Sequence, residues 1–552
     1  MIHPRAPRPT PGTIIAIVLG AGLPLAFVGV FFLWPVANMI GRGVFPSGML
    51  DVSGFGEVLS RPRTVRLIGL TLGQAALASF ITTVLGVPIA HVLYRLNFRG
   101  QRAVRAIIIV PFVLPTVVVG VAFRSLLRSG GPLGWMQLDG TFAAIMLALV
   151  FFNIAVVVRT VGAAWESLDR RPEEAARVLG ATPARAFFTI TLRRLAPAVV
   201  SAAAIVFLFC STAFGVVLVL GGTRFGTIET EIYLLTTQFL DLRAASVLSV
   251  TQVIVVALVL VVAGRLRAGA GSERPVFGAR APGLADIPAI AATAVVGGFL
   301  AVPLISLLVR SFQARGGWGF DNYVALGTTG TRNALAVPVW VALGNSLSIA
   351  AAATAIALVI GLAASLVISR QPRSRGLRRG LTALDATLML PLGVSAVTVG
   401  FGFLITLNQP PFDLRSSSVL VPIAQAVVAV PLVVRTVLPA LRAIDRRQRE
   451  AALVLGAPPW RVLLGIDLAI VARPVAAASG FAFAVALGEF GATSFLSRPD
   501  RPTLPVVIYR LIGRPGGDNF GMAIAASVIL AAITVIVIAG VERLRVNRVG
   551  AF

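Results

Sequence analysis

Few side chains in this sequence could do chemistry within its apolar stretches, and Glu489 is the foremost of them. A helix starting near Pro474 would carry the Glu489 carboxylate about 22 Å along its axis, at 1.5 Å per residue. A charge inside a bilayer costs roughly 2.5–3.5 kcal/mol, and such residues usually face protein or water. Two roles therefore stay open for Glu489: a carboxylate lining a pathway for a cation, or a packing residue bonded to its neighbours.

Other reactive groups are scarce. The chain has no lysine, so it lacks the residue with which a Walker A loop reaches nucleotide phosphates. No cluster of histidine, cysteine or carboxylate residues has metal-ligand spacing, so no bound metal is expected. No catalytic residue and no other cofactor are predicted either. Asp385 and Asp467 are expected to pair with nearby arginines, and His91 is expected to lie at a membrane interface.

The elements that would position these residues are membrane helices. The 552 residues are 57% hydrophobic and 13% charged, which is typical of a polytopic membrane protein in a lipid bilayer. The net charge of +26 comes from arginines between apolar runs, a pattern that argues against a nucleic-acid partner. The predicted spans are 13–40, 67–94, 104–127, 142–162, 196–220, 246–264, 285–310, 341–368, 384–407, 418–440, 474–496 and 520–540.

The arginines predict the orientation of the chain. If the N-terminus is cytoplasmic, the cytoplasmic stretches and their flanks hold 32 arginines and the opposite side holds 16. Twelve spans then place the C-terminus in the cytoplasm as well. The expected location is the cell (inner) membrane, crossed many times.

An internal repeat organises the sequence. Residues 159–181 match residues 435–457 at 14 of 23 positions without a gap. Because six spans separate the copies, both face the same side of the membrane, and the repeats are parallel. The predicted domains are a first half at 1–264, a cytoplasmic linker at 265–284 and a second half at 285–552.

Each copy of the repeat predicts two short helices joined by a bend. Gly180 is placed to end the first helix in a left-handed cap, and Pro183 can begin the second helix. Gly456, Pro458 and Pro459 occupy the corresponding positions of the second copy. A polar, bent element of this kind suits docking, although gene duplication alone would also leave a repeat.

Both copies resemble the EAA loop of ATP-binding-cassette (ABC) importer permeases, whose pattern is E-A-A-x3-G-x9-I-x-L-P. The matching loops lie at about 163–195 and 441–473, and both lack the final proline. The positions that match the start of the motif are Glu174, Ala175, Ala176, Gly180, Glu450, Ala451, Ala452 and Gly456.

This resemblance implies an all-α permease of two fused six-span halves, similar to the type I importers. It implies an ABC ATPase dimer docked on the two EAA loops from the cytoplasm, and a substrate-binding protein outside. ATP hydrolysis would then take place on the partner chain. Glu489 and two phenylalanines that recur in the repeat, Phe214 and Phe490, are the candidate residues of the translocation pathway.

The sequence resembles thiamine-type permeases most and ferric-iron-type permeases next. The stretches "STAFGVVLVLGG" and "ALGEFGATSFL" carry the likeness to the thiamine type. A twelve-span secondary transporter is the alternative from another class. Its usual G-x-x-x-D-R-x-G-R-R loop is absent from "RLNFRGQRAV", which connects the second and third predicted spans.

Overall fold

The described part of the chain folds mainly into helices. The computed structural model describes residues 11–45, 51, 53–222, 224–267, 280–314, 317–370, 375–408, 413–414 and 417–546. In these residues ten helices are long and apolar enough to cross a membrane, and two bent helix pairs raise the number to twelve. The predicted all-α class with about twelve transmembrane helices in two parallel six-helix repeats is confirmed.

The spans follow the predicted order. They are Gly20–Val44, Pro62–Arg95, the pair Ala103–Val113 and Thr116–Leu127, Phe142–Glu166, Pro183–Ser211, Leu242–Val261, Leu284–Ser311, Val339–Ile368, the pair Arg375–Gly393 and Ala396–Thr406, Leu420–Arg442, Pro459–Gly488 and Gly517–Arg543. Three π-helical turns lie within them, at Gly29–Leu33, Phe187–Thr191 and Leu463–Leu468.

Shorter elements connect the spans. The α-helices are Ser53–Ser60, Arg171–Val178, Gly215–Leu220, Ile228–Thr237, Asp321–Val324, Arg446–Val454, Thr493–Leu496 and Leu504–Gly513. The 3₁₀ turns Gly134–Met136 and Ala325–Gly327 also lie between spans, whereas the 3₁₀ turns Leu284–Asp286 and Leu390–Gly393 form an end of a helix counted among the spans. An antiparallel pair of two-residue strands joins Gln313–Ala314 to Gly317–Trp318.

The chain divides into two compact units. Unit one comprises Met1–Gly41, Leu343–Arg498 and Ile536–Phe552. Unit two comprises Arg42–Ala342 and Pro499–Val535. Each unit thus combines segments from the first and the second part of the sequence. The predicted domains at 1–264, 265–284 and 285–552 follow the sequence repeat, and that division stays a prediction. Most of the predicted linker lies outside the described residues.

Glycines allow close helix packing at corresponding places in the two units. In unit two, a Cβ on Gly86 would lie 2.6 Å from Val157 Cγ1. In unit one, a Cβ on Gly361 would lie 2.7 Å from Val433 Cγ1. Helices in lipid gain little from the hydrophobic effect when they associate, so close packing has to hold them together. Contacts at small residues such as these allow that packing.

Four spans are irregular, and two of the predicted ranges are wrong at both ends. A third range is wrong at its start: the ninth span was predicted at 384–407 but begins at Arg375. The fifth and eleventh spans were predicted at 196–220 and 474–496, but their helices run over Pro183–Ser211 and Pro459–Gly488. A proline at the first turn loses no hydrogen bond, so each helix starts early, in polar sequence. The third and ninth spans bend by 101° and 100°.

We expect Gly361→Ala to destabilise the protein, because its new Cβ meets the side chain of Val433. Gly344→Ala on the same helix is the matched control, because a Cβ at Gly344 has no atom within 4 Å. Thermal unfolding in detergent checks this: the midpoint should fall for Gly361→Ala and stay near the parent value for Gly344→Ala. Equal midpoints would show that the helices at Gly361 can separate without cost.

Candidate functional site

The glycine bends of the repeat have the predicted geometry in both halves. We call residues 171–186 the first elbow and residues 446–462 the second elbow. Gly180 has φ +89° and Gly456 has φ +82°, in the left-handed region that favours glycine. In the first elbow the Gly180 N–H donates to Arg177 O, and the Ala181 N–H donates to Ala176 O, both at 3.0 Å. This is a Schellman cap, and the same pair of bonds closes the second elbow.

The second helix of each elbow was predicted to be short and separate, but the structure shows a longer helix that continues into a span. It begins at Pro183, after Thr182, whose side chain accepts a hydrogen bond from the Arg185 N–H. It then continues through a π-helical turn into the membrane as one helix, Pro183–Ser211. The second elbow continues in the same way through Pro459–Gly488. Each elbow is therefore the end of a membrane span.

The residues that match the EAA motif lie on the outer face of each elbow. Glu174 and Ala175 are exposed, as are Glu450 and Ala451 in the second elbow. Ala176 and Ala452 are half-buried. The Glu450 carboxylate also pairs with Arg446 one turn earlier, at 2.6 Å.

Each elbow also exposes apolar residues that sequence reasoning did not select. We call these four residues the elbow apices: Val178, Leu179, Val454 and Leu455, whose exposed fractions are 87%, 88%, 87% and 86%. Apolar side chains are thus fully exposed at matching positions of the two elbows. The signal was present in the sequence, since V-L-G is identical in the two copies.

Polar contacts join each elbow to the start of the membrane helix that follows it. At the first elbow Thr191 Oγ1 donates to Glu173 Oε2 at 2.8 Å. In the second, Asp467 is fully buried and each of its carboxylate oxygens contacts an arginine: Arg449 Nε at 2.6 Å and Arg370 Nη2 at 2.9 Å. The expected pairing of Asp467 with arginines is confirmed. Asp385 likewise lies 3.8 Å from a guanidinium, that of Arg442.

The far ends of the two elbow helices are helix breaks that pack against other breaks. The fifth span ends at Ser211, and Gly215 follows the break; a Cβ there would lie 2.5 Å from Thr116 Oγ1, at the bend of the third span. In unit one a Cβ on Gly491 would lie 2.9 Å from Ala396 Cβ, at the bend of the ninth span. The same crossing of two interrupted helices therefore forms in each unit.

Glu489 lies at the break after the eleventh span, and not within a continuous helix. Its side chain is 7% exposed. Its two carboxylate oxygens accept hydrogen bonds from the backbone N–H groups of Ala492 (2.7 Å) and Thr493 (3.0 Å). The carboxylate therefore satisfies two amides that the interrupted helix leaves without a carbonyl partner.

The other predicted pathway residues are buried near the breaks. Phe490 directly follows Glu489 and is 2% exposed. Phe214 packs against Tyr233 with ring centroids 5.5 Å apart. His91 bonds to Asp286 at 2.9 Å, which gives it a structural partner. Among the described residues there is no group of three or more His, Cys, Asp or Glu side chains that could hold a metal ion.

The family match covers both halves. Residues 82–268 and 370–545 match the family described as "Binding-protein-dependent transport system inner membrane component". Each matched stretch contains one elbow. The chain is thus a multi-pass membrane permease of a transport system. It belongs to the binding-protein-dependent transport system inner membrane component family, as an ABC importer permease of the inner membrane.

Individual relatives extend over much of the chain. The thiamine transport system permease protein ThiP of Escherichia coli (strain K12) is 27% identical over 471 residues, covering 81% of this chain and 83% of ThiP. ThiP of Brucella abortus (strain 2308) is 27% identical, covering 85% and 87%. The sulfate transport system permease protein CysT of Escherichia coli (strain K12) is 33% identical, covering 37% of this chain and 74% of CysT.

The Glu489 geometry predicts graded effects of substitution. Glu489→Gln keeps one acceptor but turns an NH2 group toward a backbone N–H, and Glu489→Ala removes both acceptors. We expect the midpoint of thermal unfolding in detergent to be highest for the parent protein, lower for Glu489→Gln and lowest for Glu489→Ala. Transport should decrease in the same order. Glu57→Gln, at an exposed carboxylate, is the control. Lost transport in Glu489→Gln with a parental midpoint would instead indicate a carboxylate acting directly on the transported molecule.

Proposed function

We propose that this chain forms the translocation pathway of a thiamine importer and couples to two copies of a separate ABC ATPase. The observation that carries the coupling is the pair of elbows. Both have the same cap, the same exposed glutamate and the same apolar apex, at corresponding positions. Two identical ATPase subunits need two matching docking surfaces, and the elbows supply them.

The elbow surface suits protein docking. Val178 and Leu179 form an apolar centre, and exposed charged residues such as Glu174 and Arg177 surround it. An apolar centre with a polar rim is the usual composition of a protein interface. The site residues in the EAA motif then contact or orient the ATPase, and Gly180 and Gly456 shape the bend.

The side of the membrane and the other partners follow from this assignment. The elbows lie on the arginine-rich side, so we place them and both chain termini in the cytoplasm. ATP hydrolysis belongs to the partner chain, in agreement with the absence of lysine from this one. A substrate-binding protein on the opposite side delivers the substrate.

Thiamine is the substrate that the relatives favour, since ThiP proteins align with more than four-fifths of this chain. Unit two supports a cationic, aromatic substrate. Glu229 is fully buried, and Tyr233 follows one turn later on the helix Ile228–Thr237. The Tyr233 ring packs on Phe214. Carboxylates and aromatic faces are the groups that attract an organic cation. Ferric iron is the second candidate, and no relative described above favours it.

Transport by the whole complex tests the substrate. Membrane vesicles holding this chain, its ATPase and its binding protein should accumulate thiamine or a thiamine phosphate when ATP is supplied. Vesicles whose ATPase lacks its Walker A lysine are the control. Accumulation of ferric iron without any response to thiamine would overturn the substrate while leaving the importer class intact.

Substitution of both elbow glycines tests docking. Gly180→Asp/Gly456→Asp adds Cβ in the left-handed region, at a cost on the order of 1 kcal/mol each, and adds bulk to the docking surface. We expect the membrane-inserted double variant to lose ATPase on co-purification and to lose transport. Each single variant should reduce both.

Gly100→Asp is the matched control, because Gly100 has φ +87° and open space around it but lies outside the elbows. It should retain the ATPase. Normal ATPase recovery and full transport in the double variant would show that the elbows do not dock it.

A further inference from the structure

The polar contacts between each elbow and the membrane helix that follows it join corresponding positions with different chemistry. Glu173 and Arg449 occupy the same place in the repeat, 276 residues apart, and so do Thr191 and Asp467. Both positions are mismatches when the halves are aligned. Yet in each half the two side chains are bonded, as Glu173 to Thr191 and as Arg449 to Asp467. The same two positions are therefore bonded to each other in both halves, although the residues at those positions differ.

The carboxylate of the bonded pair lies on a different helix in each half. In the first elbow it is Glu173, on the short outer helix Arg171–Val178. In the second it is Asp467, on the π-helical turn Leu463–Leu468 of the long helix. Either arrangement ties the outer helix to the start of the membrane span.

An arginine lies at the end of the second span of each half. Arg95 is the last residue of the helix Pro62–Arg95 and is 5% exposed; its Nη1 donates to Leu168 O at 3.1 Å, just before the first elbow. Arg370 follows the helix Val339–Ile368 and contacts the Asp467 carboxylate, so it is a third member of the contact in the second half. We call Glu173 and Thr191 the first clip, and Arg370, Arg449 and Asp467 the second clip.

Removal of any one side chain of the second clip should destabilise the protein. Asp467 is fully buried and has no water-facing surface, so its charge depends on the two arginines. Arg449 is itself mostly buried, and its Nη2 also donates to Leu441 O at 3.3 Å, at the end of the tenth span. Removing one partner of a buried ion pair leaves an uncompensated charge, which is strongly destabilising.

We propose that the clips make each elbow move as one body with the membrane spans that it contacts, and that Arg370, Arg449 and Asp467 are positioning residues for coupling ATP hydrolysis to transport. The coupling part rests on the proposed docking of the ATPase. The clips themselves do not, because they lie within this chain. In this scheme the elbow apices bind the ATPase, and the clips beneath them pass the displacement to the spans.

The first half supplies the substitutions for the test. Arg449→Glu alone places a second carboxylate against Asp467 and should open the clip. Arg449→Glu/Asp467→Thr installs the carboxylate and hydroxyl pair of the first clip and should close it again. Arg378→Glu, at an exposed arginine in unit one, makes the same charge change away from the clip.

The first measurement uses the full-length permease without ATPase, by amide hydrogen exchange over residues 446–456. Exchange should be on the order of tenfold faster in Arg449→Glu, and within about twofold of the parent in the double variant and in Arg378→Glu. Unchanged exchange in Arg449→Glu, or no recovery in the double variant, would overturn the clip.

The second measurement adds the ATPase and binding protein and records substrate transported per ATP hydrolysed. This ratio should fall several-fold in Arg449→Glu, with ATPase still co-purifying, and should recover in the double variant. If Arg449→Glu shows faster amide exchange but an unchanged amount of substrate transported per ATP, the clip is only a structural contact. That result would overturn its role in coupling. If the parent protein does not co-purify with the ATPase, the proposed docking fails, while the exchange result still decides the clip.

Discussion

The structure depends on one constraint: a backbone amide in the hydrocarbon layer must find its hydrogen-bond partner within the protein. A continuous helix meets it automatically, but four spans of this chain are interrupted. At the ninth span Ser395 accepts from the Thr398 N–H, and after the eleventh Glu489 accepts from the amides of Ala492 and Thr493. Glycines then let the breaks pack against each other. The caps and glycines therefore fix where the long helices end.

Much of this architecture could be predicted from the sequence, because the signals are local. Apolar runs of sufficient length identified the spans, and the repeat identified their parallel order. Gly180, Gly456 and Pro183 were predicted correctly because backbone conformation restricts residue type at a left-handed cap and at a first helical turn. The pairing of Asp467 with arginines followed from charge alone.

The rest could not be predicted because it depends on contacts between distant segments. The break after the fifth span falls at Ala213 and Phe214, in sequence as apolar as the span itself, so composition carries no sign of it. Val178 and Leu179 could equally have packed inward on a short helix, and only the tertiary structure shows them exposed. The clips were hidden because the bonded positions, Glu173 with Thr191 and Arg449 with Asp467, are mismatches in the repeat. Two mismatches that compensate each other look like ordinary divergence until distances are known.

The position of the clips explains why the elbow helices need them. Each helix runs from an elbow to a break without interruption, about 45 Å for 29 or 30 residues at 1.5 Å per residue. Each helix has two irregular points: the π-helical turn, where the hydrogen-bond ladder is widened, and an interior proline further along, Pro197 or Pro474, which removes a ladder hydrogen bond. Thr191 and Asp467 lie in those two turns. Bonding the turn to the outer helix, and in the second half also to Arg370 beside a neighbouring span, supports the helix at the first irregular point after the elbow. In the proposed scheme a displacement of the elbow is then passed along the helix instead of being absorbed as a bend at the turn.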